Sequence, residues 1–236
     1  MKSLITRSAV GVLLVAVLCL QQSGCAQDNG KQQPTNSARP GKSPPIAADD
    51  LVARLQDVLA RCDVTELADA ISQVFRTPDT SDAVQYLAEE WRLSLNQSGD
   101  RWSCIQRPLV RAHIANALAQ AHANNLGQNI DMTSVAAALR DGLDSSDWVI
   151  AHLSIMGLDA VATPADFPKL EALAKSDNEV KREDALRVLA SQCSDEAQGI
   201  LDDLATHPGF EKLPEIRKEM DFFRSARCKQ AAQPTK

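Results

Sequence analysis

Apolar residues in the second half of this chain recur every 31 residues, and that period constrains the fold more tightly than any other feature. Leu139, Leu170 and Leu201 fall in step, as do Leu173 with Leu204, Val149 with Val180, Ile155 with Leu186, and Leu158 with Leu189. The turns keep the same step, Ser145-Ser146-Asp147 returning as Ser176-Asp177-Asn178. A period of this length is one helix-turn-helix unit, which cannot bury its apolar side alone, so neighbouring units must stack. Aromatic residues make up only 4% of the chain. A core so poor in large rings is built from Ala, Leu, Val and Ile, which suits closely packed helices better than layered strands. The expected fold class is all-α.

Helical spacing also runs through the first half. Leu51, Val52, Leu55, Val58 and Leu59 share one helix face, with Asp49 or Asp50 available as its cap. A second helix is expected to start at Asp63, with Glu66 completing a capping box, to bury Leu67, Ile71 and Val74, and to end at Thr77-Pro78. A third runs from about Ser81 to Leu95 with Val84, Leu87 and Trp91 inward, and the cluster from Asn96 to Asp100 reads as a turn. The fourth spans roughly Arg107 to Ala123, with Pro108 in its first turn, and Asn124, Asn125 and Gly127 stop it.

The run Asp177-Asn178-Glu179-Val180-Lys181-Arg182, followed by Ala185, Val188 and Leu189, resembles the short HEAT repeat. The unit from Asp147 to Leu158 keeps only the Val and Leu of that pattern, and Leu109-Val110-Arg111-Ala112 is a weaker echo. The resemblance covers about Thr133 to Thr206. It implies an α-solenoid of antiparallel helix pairs used as a protein-binding scaffold, and it assigns no chemistry. The alternative is an irregular helical bundle. In the HEAT family the second helix of each pair lines the concave face, which would bring Trp148, His152, Arg182 and Arg187 to the contact surface. For Trp148 the expectation from the residues themselves is burial, because an aromatic opening an Ala/Leu-rich helix packs on its neighbour.

At the N-terminus Lys2 and Arg7 precede an uncharged run from Ala9 to Leu20, which reads as a secretory leader over residues 1–24. That run is short of the roughly 18–20 apolar residues that span a bilayer. Ser23-Gly24-Cys25 resembles a bacterial lipobox, although Gln22 stands where that pattern carries Leu. The resemblance implies lipid on Cys25, and Ala26 after it implies sorting to the outer membrane; the alternative is cleavage after Ala26, giving a soluble periplasmic or secreted protein. Residues 25–47, with Pro34, Pro40, Pro44 and Pro45 among polar residues, cannot form a core and read as a tether. The helical-repeat domain is then expected over 48–228, with a disordered tail over 229–236. The net charge of −6 becomes more negative once Lys2 and Arg7 leave with the leader, which disfavours nucleic acid as a partner. Membrane attachment is expected only through the N-terminal lipid.

Besides Cys19 and Cys25, four cysteines remain, Cys62, Cys104, Cys193 and Cys228, an even number that in an exported chain implies two disulfides. If successive helices alternate in direction, Cys62 and Cys104 fall on one edge of the stack, and Cys193 and Cys228 share an edge near the C-terminus. The expected bonds are therefore Cys62 with Cys104 and Cys193 with Cys228. No C-x-x-C and no Cys–His pair stands at ligand spacing, so no metal is expected.

The four histidines, His113, His122, His152 and His207, make no i, i+3 or i, i+4 pair. There is no G-x-S-x-G, H-E-x-x-H, phosphate loop or calcium loop. Adjacent acids such as Glu89-Glu90, Glu183-Asp184 and Asp202-Asp203 point to different sides of a helix and read as solvated faces. No catalytic residue and no cofactor is expected. The leading expectation is a periplasm-facing lipoprotein that binds another protein, one specific form being an immunity protein against a periplasmic toxin. The alternatives are an envelope assembly or structural lipoprotein and, third, a cell-wall enzyme.

Overall fold

The computed structural model describes residues 48–77, 80–127 and 129–231. The leader, Cys25 and the tether expected over 25–47 lie outside the described residues. Every regular element among those described is helical, as the periodicity predicts. The chain divides into two compact units, 1–86 and 87–236, with the boundary inside the third helix.

The first unit holds α1 (Ala48–Arg61), α2 (Val64–Val74) and the beginning of α3 (Ser81–Asn96). Asp49 and Asp50 lie within α1 rather than ahead of it, a correction to the expected cap. Leu51, Leu55, Val58 and Leu59 of α1 and Leu67, Ala70, Ile71 and Val74 of α2 are buried, so the two faces read from the periodicity form the core of this unit. Cys62 ends α1 with φ +53°, the left-handed conformation in which its N–H reaches Leu59 O at 3.2 Å and Asp63 N–H reaches Val58 O at 3.2 Å. Asp63 then caps α2, accepting from Glu66 N–H at 3.0 Å. Glu66 leaves the expected capping box unclosed because its carboxylate goes to Arg61, 2.7 Å away. The helix stops at Val74, before Thr77.

The second unit continues α3 and adds α4 (Asp100–Ser103), α5 (Pro108–Ala123), α6 (Met132–Gly142), α7 (Trp148–Val161), a 3-10 turn (Pro164–Asp166), α8 (Phe167–Ala174), α9 (Glu179–Ser191), α10 (Asp195–Ala205) and α11 (Leu213–Ala231). The short α4 begins where the sequence reads as a turn, and α11 continues through residues 229–231, expected to be tail. Helix α5 ends as its Asn pair predicts: Asn125 takes φ +56°, its N–H bonds His122 O at 3.0 Å, and Leu126 N–H bonds Ala121 O at 2.9 Å. The left-handed residue is an asparagine, so Gly127 is not needed for it.

Helices α5, α7, α9 and α11 pack each on the next, with α6 against α5 and α7, and α8 and α10 against α9. The 31-residue step is built into this stack. Leu139, Leu170 and Leu201 are fully buried in α6, α8 and α10, and Ile155, Leu186, Leu158 and Leu189 are buried in α7 and α9. The turns repeat down to one hydrogen bond: Ser145 Oγ accepts from Asp147 N–H and Ser176 Oγ from Asn178 N–H, each at 3.2 Å. Val149 and Val180, also in step, are not buried, because they lie in the first turns of α7 and α9 beyond the packed face.

Two glycines set how closely these helices approach. A Cβ on Gly157 of α7 would stand 2.5 Å from Leu139 Cδ2 and 3.2 Å from the Asn116 backbone in α5. Gly142 is filled in the same way by Ser154 Oγ. Gly157→Ala gains helix propensity, about 0.5–1 kcal/mol. It must also push apart a fully buried leucine and a neighbouring backbone, an overpacking cost of about 1–3 kcal/mol. The expected result is net destabilisation, read as a lower urea midpoint; a midpoint at or above wild type would mean that the stack yields at this point.

Candidate protein-binding edge

The four residues singled out for partner contact separate once their surroundings are seen. His152 of α7 faces α9, with Nδ1 2.6 Å from Asp184 Oδ2 and both side chains largely buried. A carboxylate only accepts, so Nδ1 carries the proton. Arg182 donates from Nη1 to Ser176 O at 3.0 Å, bracing the turn before α9. Arg187 lies 3.6 Å from both Glu183 and Glu219, between α9 and α11. These three are committed to holding the stack together.

Trp148 differs. It opens α7 and is 56% exposed, so the expected burial is corrected. Side chains on a helix lean toward its N-terminus, and a residue in the first position therefore overhangs the preceding turn instead of a neighbouring helix. Val180, in the first turn of the adjacent α9, is 40% exposed. The two turns are tied together by Lys181, whose ammonium donates to Ser145 O at 2.9 Å. Trp148 and Val180 thus sit at the same end of packed neighbouring helices. The other exposed large apolar side chains among the described residues, Leu95 and Phe222, lie on α3 and α11, and scattered singles of this kind are ordinary on protein surfaces.

Buried polar groups are spent on joining helices. Asp159 of α7 pairs with Arg227 of α11 at 2.5 Å, and Ser191 of α9 accepts from Arg227 Nη1 at 2.8 Å while its hydroxyl bonds Asp159. Gln120 Nε2 donates to Met156 O at 3.0 Å, joining α5 to α7. Arg140 holds Asp166 through two bonds, 2.6 and 3.0 Å, and Thr163 adds two more at 2.9 Å. The guanidinium of Arg140 keeps the Asp166 carboxyl below the usual carboxylate range. Sequence reasoning missed Asp184 and Asp159 as partners. The signal is present in the period, since Asp184 follows His152 by one repeat plus one residue, and adjacent packed helices bring such positions together.

A shallow surface groove of about 510 Å³ lies beside Cys193 and Cys228 and is lined by Arg224 and Lys229. Among the described residues no three His, Cys, Asp or Glu side chains are placed to hold a metal ion, and no helix is long and apolar enough to cross a membrane. Cys193 and Cys228 are bonded to each other, and Cys62 and Cys104 are each in a disulfide. Comparison with protein-family models, characterised proteins and solved structures finds no match.

His113 of α5 has a measurable consequence. Burial, with a smaller contribution from nearby His152, pushes its imidazole from 6.5 down to about 4. Between those values the unfolded chain binds a proton that the folded chain refuses, so stability is full above pH 6.5 and falls as pH drops toward 4. The expected loss is on the order of 3 kcal/mol, levelling off below the folded value. Urea melts across this range should show the slope in the wild type and a reduced one in His113→Gln; identical slopes would place the acid sensitivity elsewhere.

Proposed function

We propose that this protein is a periplasm-facing lipoprotein, anchored through Cys25, that binds another protein at the edge formed by the first turns of α7 and α9. Trp148 is the observation that carries the proposal. A tryptophan more than half exposed on a chain so poor in aromatic residues costs free energy unless a partner covers it, and tryptophan is the side chain most enriched among residues that dominate interface energies. The surrounding structure supports a rigid platform: His152, Arg182 and Arg187 are each engaged in internal pairs, and the Ser145 and Ser176 turns are hydrogen-bonded.

The test is affinity capture from an envelope extract on immobilised mature protein, with Trp148→Ala alongside. The expected result is a defined protein retained by the wild type and lost at least tenfold by the variant. Equal retention by both would remove Trp148 from the interface, and no retained protein would count against the binding role. Trp91 and Trp102 are buried, so Trp148→Phe is also expected to remove the red-shifted, acrylamide-quenchable part of the emission without changing the melting temperature.

A further inference from the structure

We infer that the partner at this edge is cationic, laying an arginine or lysine side chain over the Trp148 indole between the carboxylates of Asp147 and Asp177. This rests on the protein-binding role just proposed and adds the partner's chemistry.

Most charged side chains at this edge are already engaged. Its cations are turned inward or paired. Lys181 gives its ammonium to Ser145 O at 2.9 Å and Arg182 its guanidinium to Ser176 O at 3.0 Å. Lys169 bonds Asp144, and Lys212 pairs with Glu179 and Glu183 at 3.2 and 3.0 Å. Two carboxylates in the turns that open α7 and α9 are different. Asp147 and Asp177 are exposed, and neither forms an ion pair with a described residue. Asp147 accepts one backbone bond, from Val149 N–H at 2.9 Å, through Oδ1. Exposed apolar side chains thus stand beside carboxylates that no side-chain cation among the described residues pairs.

That combination selects its occupant. An anionic segment would meet repulsion, and a neutral apolar one would strip water from two carboxylates without replacing it. A guanidinium or ammonium answers both features, because a tryptophan face is the best cation–π acceptor and charge-assisted bonds to the flanking carboxylates strengthen once water is excluded. The chain already makes one such contact internally, with Arg111 4.6 Å from the centre of the Trp91 ring.

The experiment titrates the mature protein against fluorescein-labelled acetyl-hexaarginine amide at low salt and reads anisotropy. Asp147→Asn/Asp177→Asn removes both charges but keeps the cap, since Asn caps helices as well as Asp does. Glu196→Gln/Glu215→Gln is the charge-matched control at exposed positions elsewhere. Saturable binding, weakened at least tenfold by the Asp pair and by Trp148→Ala but less than twofold by the control, is the expected result. Equal weakening by both double variants, or no binding, overturns the inference. The same variants on the envelope extract separate it from its premise. A protein retained through Trp148 but indifferent to the Asp pair removes only the cationic partner, whereas no retained protein and no peptide binding removes both.

Discussion

Truncating Trp91 to alanine should lower the unfolding free energy by about 3–5 kcal/mol, the largest effect expected of any single side chain here. Trp91 is fully buried in α3 and joined to two other helices. Its indole N–H donates to Ser134 Oγ in α6 at 2.8 Å, and the Arg111 guanidinium of α5 lies over its face. Alanine removes the ring, leaves a cavity that a tightly packed Ala/Leu surrounding fills poorly, and strands a half-buried guanidinium without its π partner. Trp91→Phe separates the parts, since it keeps an aromatic face and loses the indole N–H and some volume, with an expected cost of about 1–2 kcal/mol. Urea unfolding followed by far-UV circular dichroism measures both. A cost below about 1 kcal/mol for the alanine variant would mean that α3 is not held through this residue.

The packing of the stack is legible because burial has a period and binding does not. Leu139, Leu170 and Leu201 announce the inner layer, since the same turn-to-turn geometry places each against the next helix. The paired turns at Ser145 and Ser176 are equally readable, because a serine two residues before a capping Asp or Asn makes a local bond that needs no tertiary context. Trp148 is not legible in this way. It occupies a position where the direction of the side chain, and not the hydrophobic pattern, decides between neighbour and solvent. His152 misleads for the opposite reason: a lone histidine in an apolar helix looks unpartnered until the repeat is used to place Asp184 beside it. Helix α4 escapes because four residues carry no period, and the extent of α11 escapes because charged side chains dominate its far end.

That far end is where loss of one covalent bond should show most. Within α11 the buried large apolar side chains are Leu213 and Ile216, both in its first turn. Beyond them the helix is fastened to the stack by Arg227, reaching Asp159 and Ser191, by Glu219 beside Arg187, by Arg217 and Arg224, which reach Asp202 and Gln198 of α10, and by the bond from Cys228 to Cys193 just past α9. A helix of 19 residues with so little apolar contact is marginal by itself. Closing the 35-residue separation between these cysteines removes about 4 kcal/mol of chain entropy from the open state. In Cys193→Ser/Cys228→Ser the amides after about residue 217 should therefore exchange a hundred to a thousand times faster, while those of α5 and α7 keep their protection. Opening confined to α11 would show that the disulfide clips the last helix onto a stack already complete at α9. Unchanged α11 exchange would assign that task to the polar contacts of Arg217, Glu219, Arg224 and Arg227, and faster exchange throughout α5 and α7 would mean that α11 is part of the cooperative core.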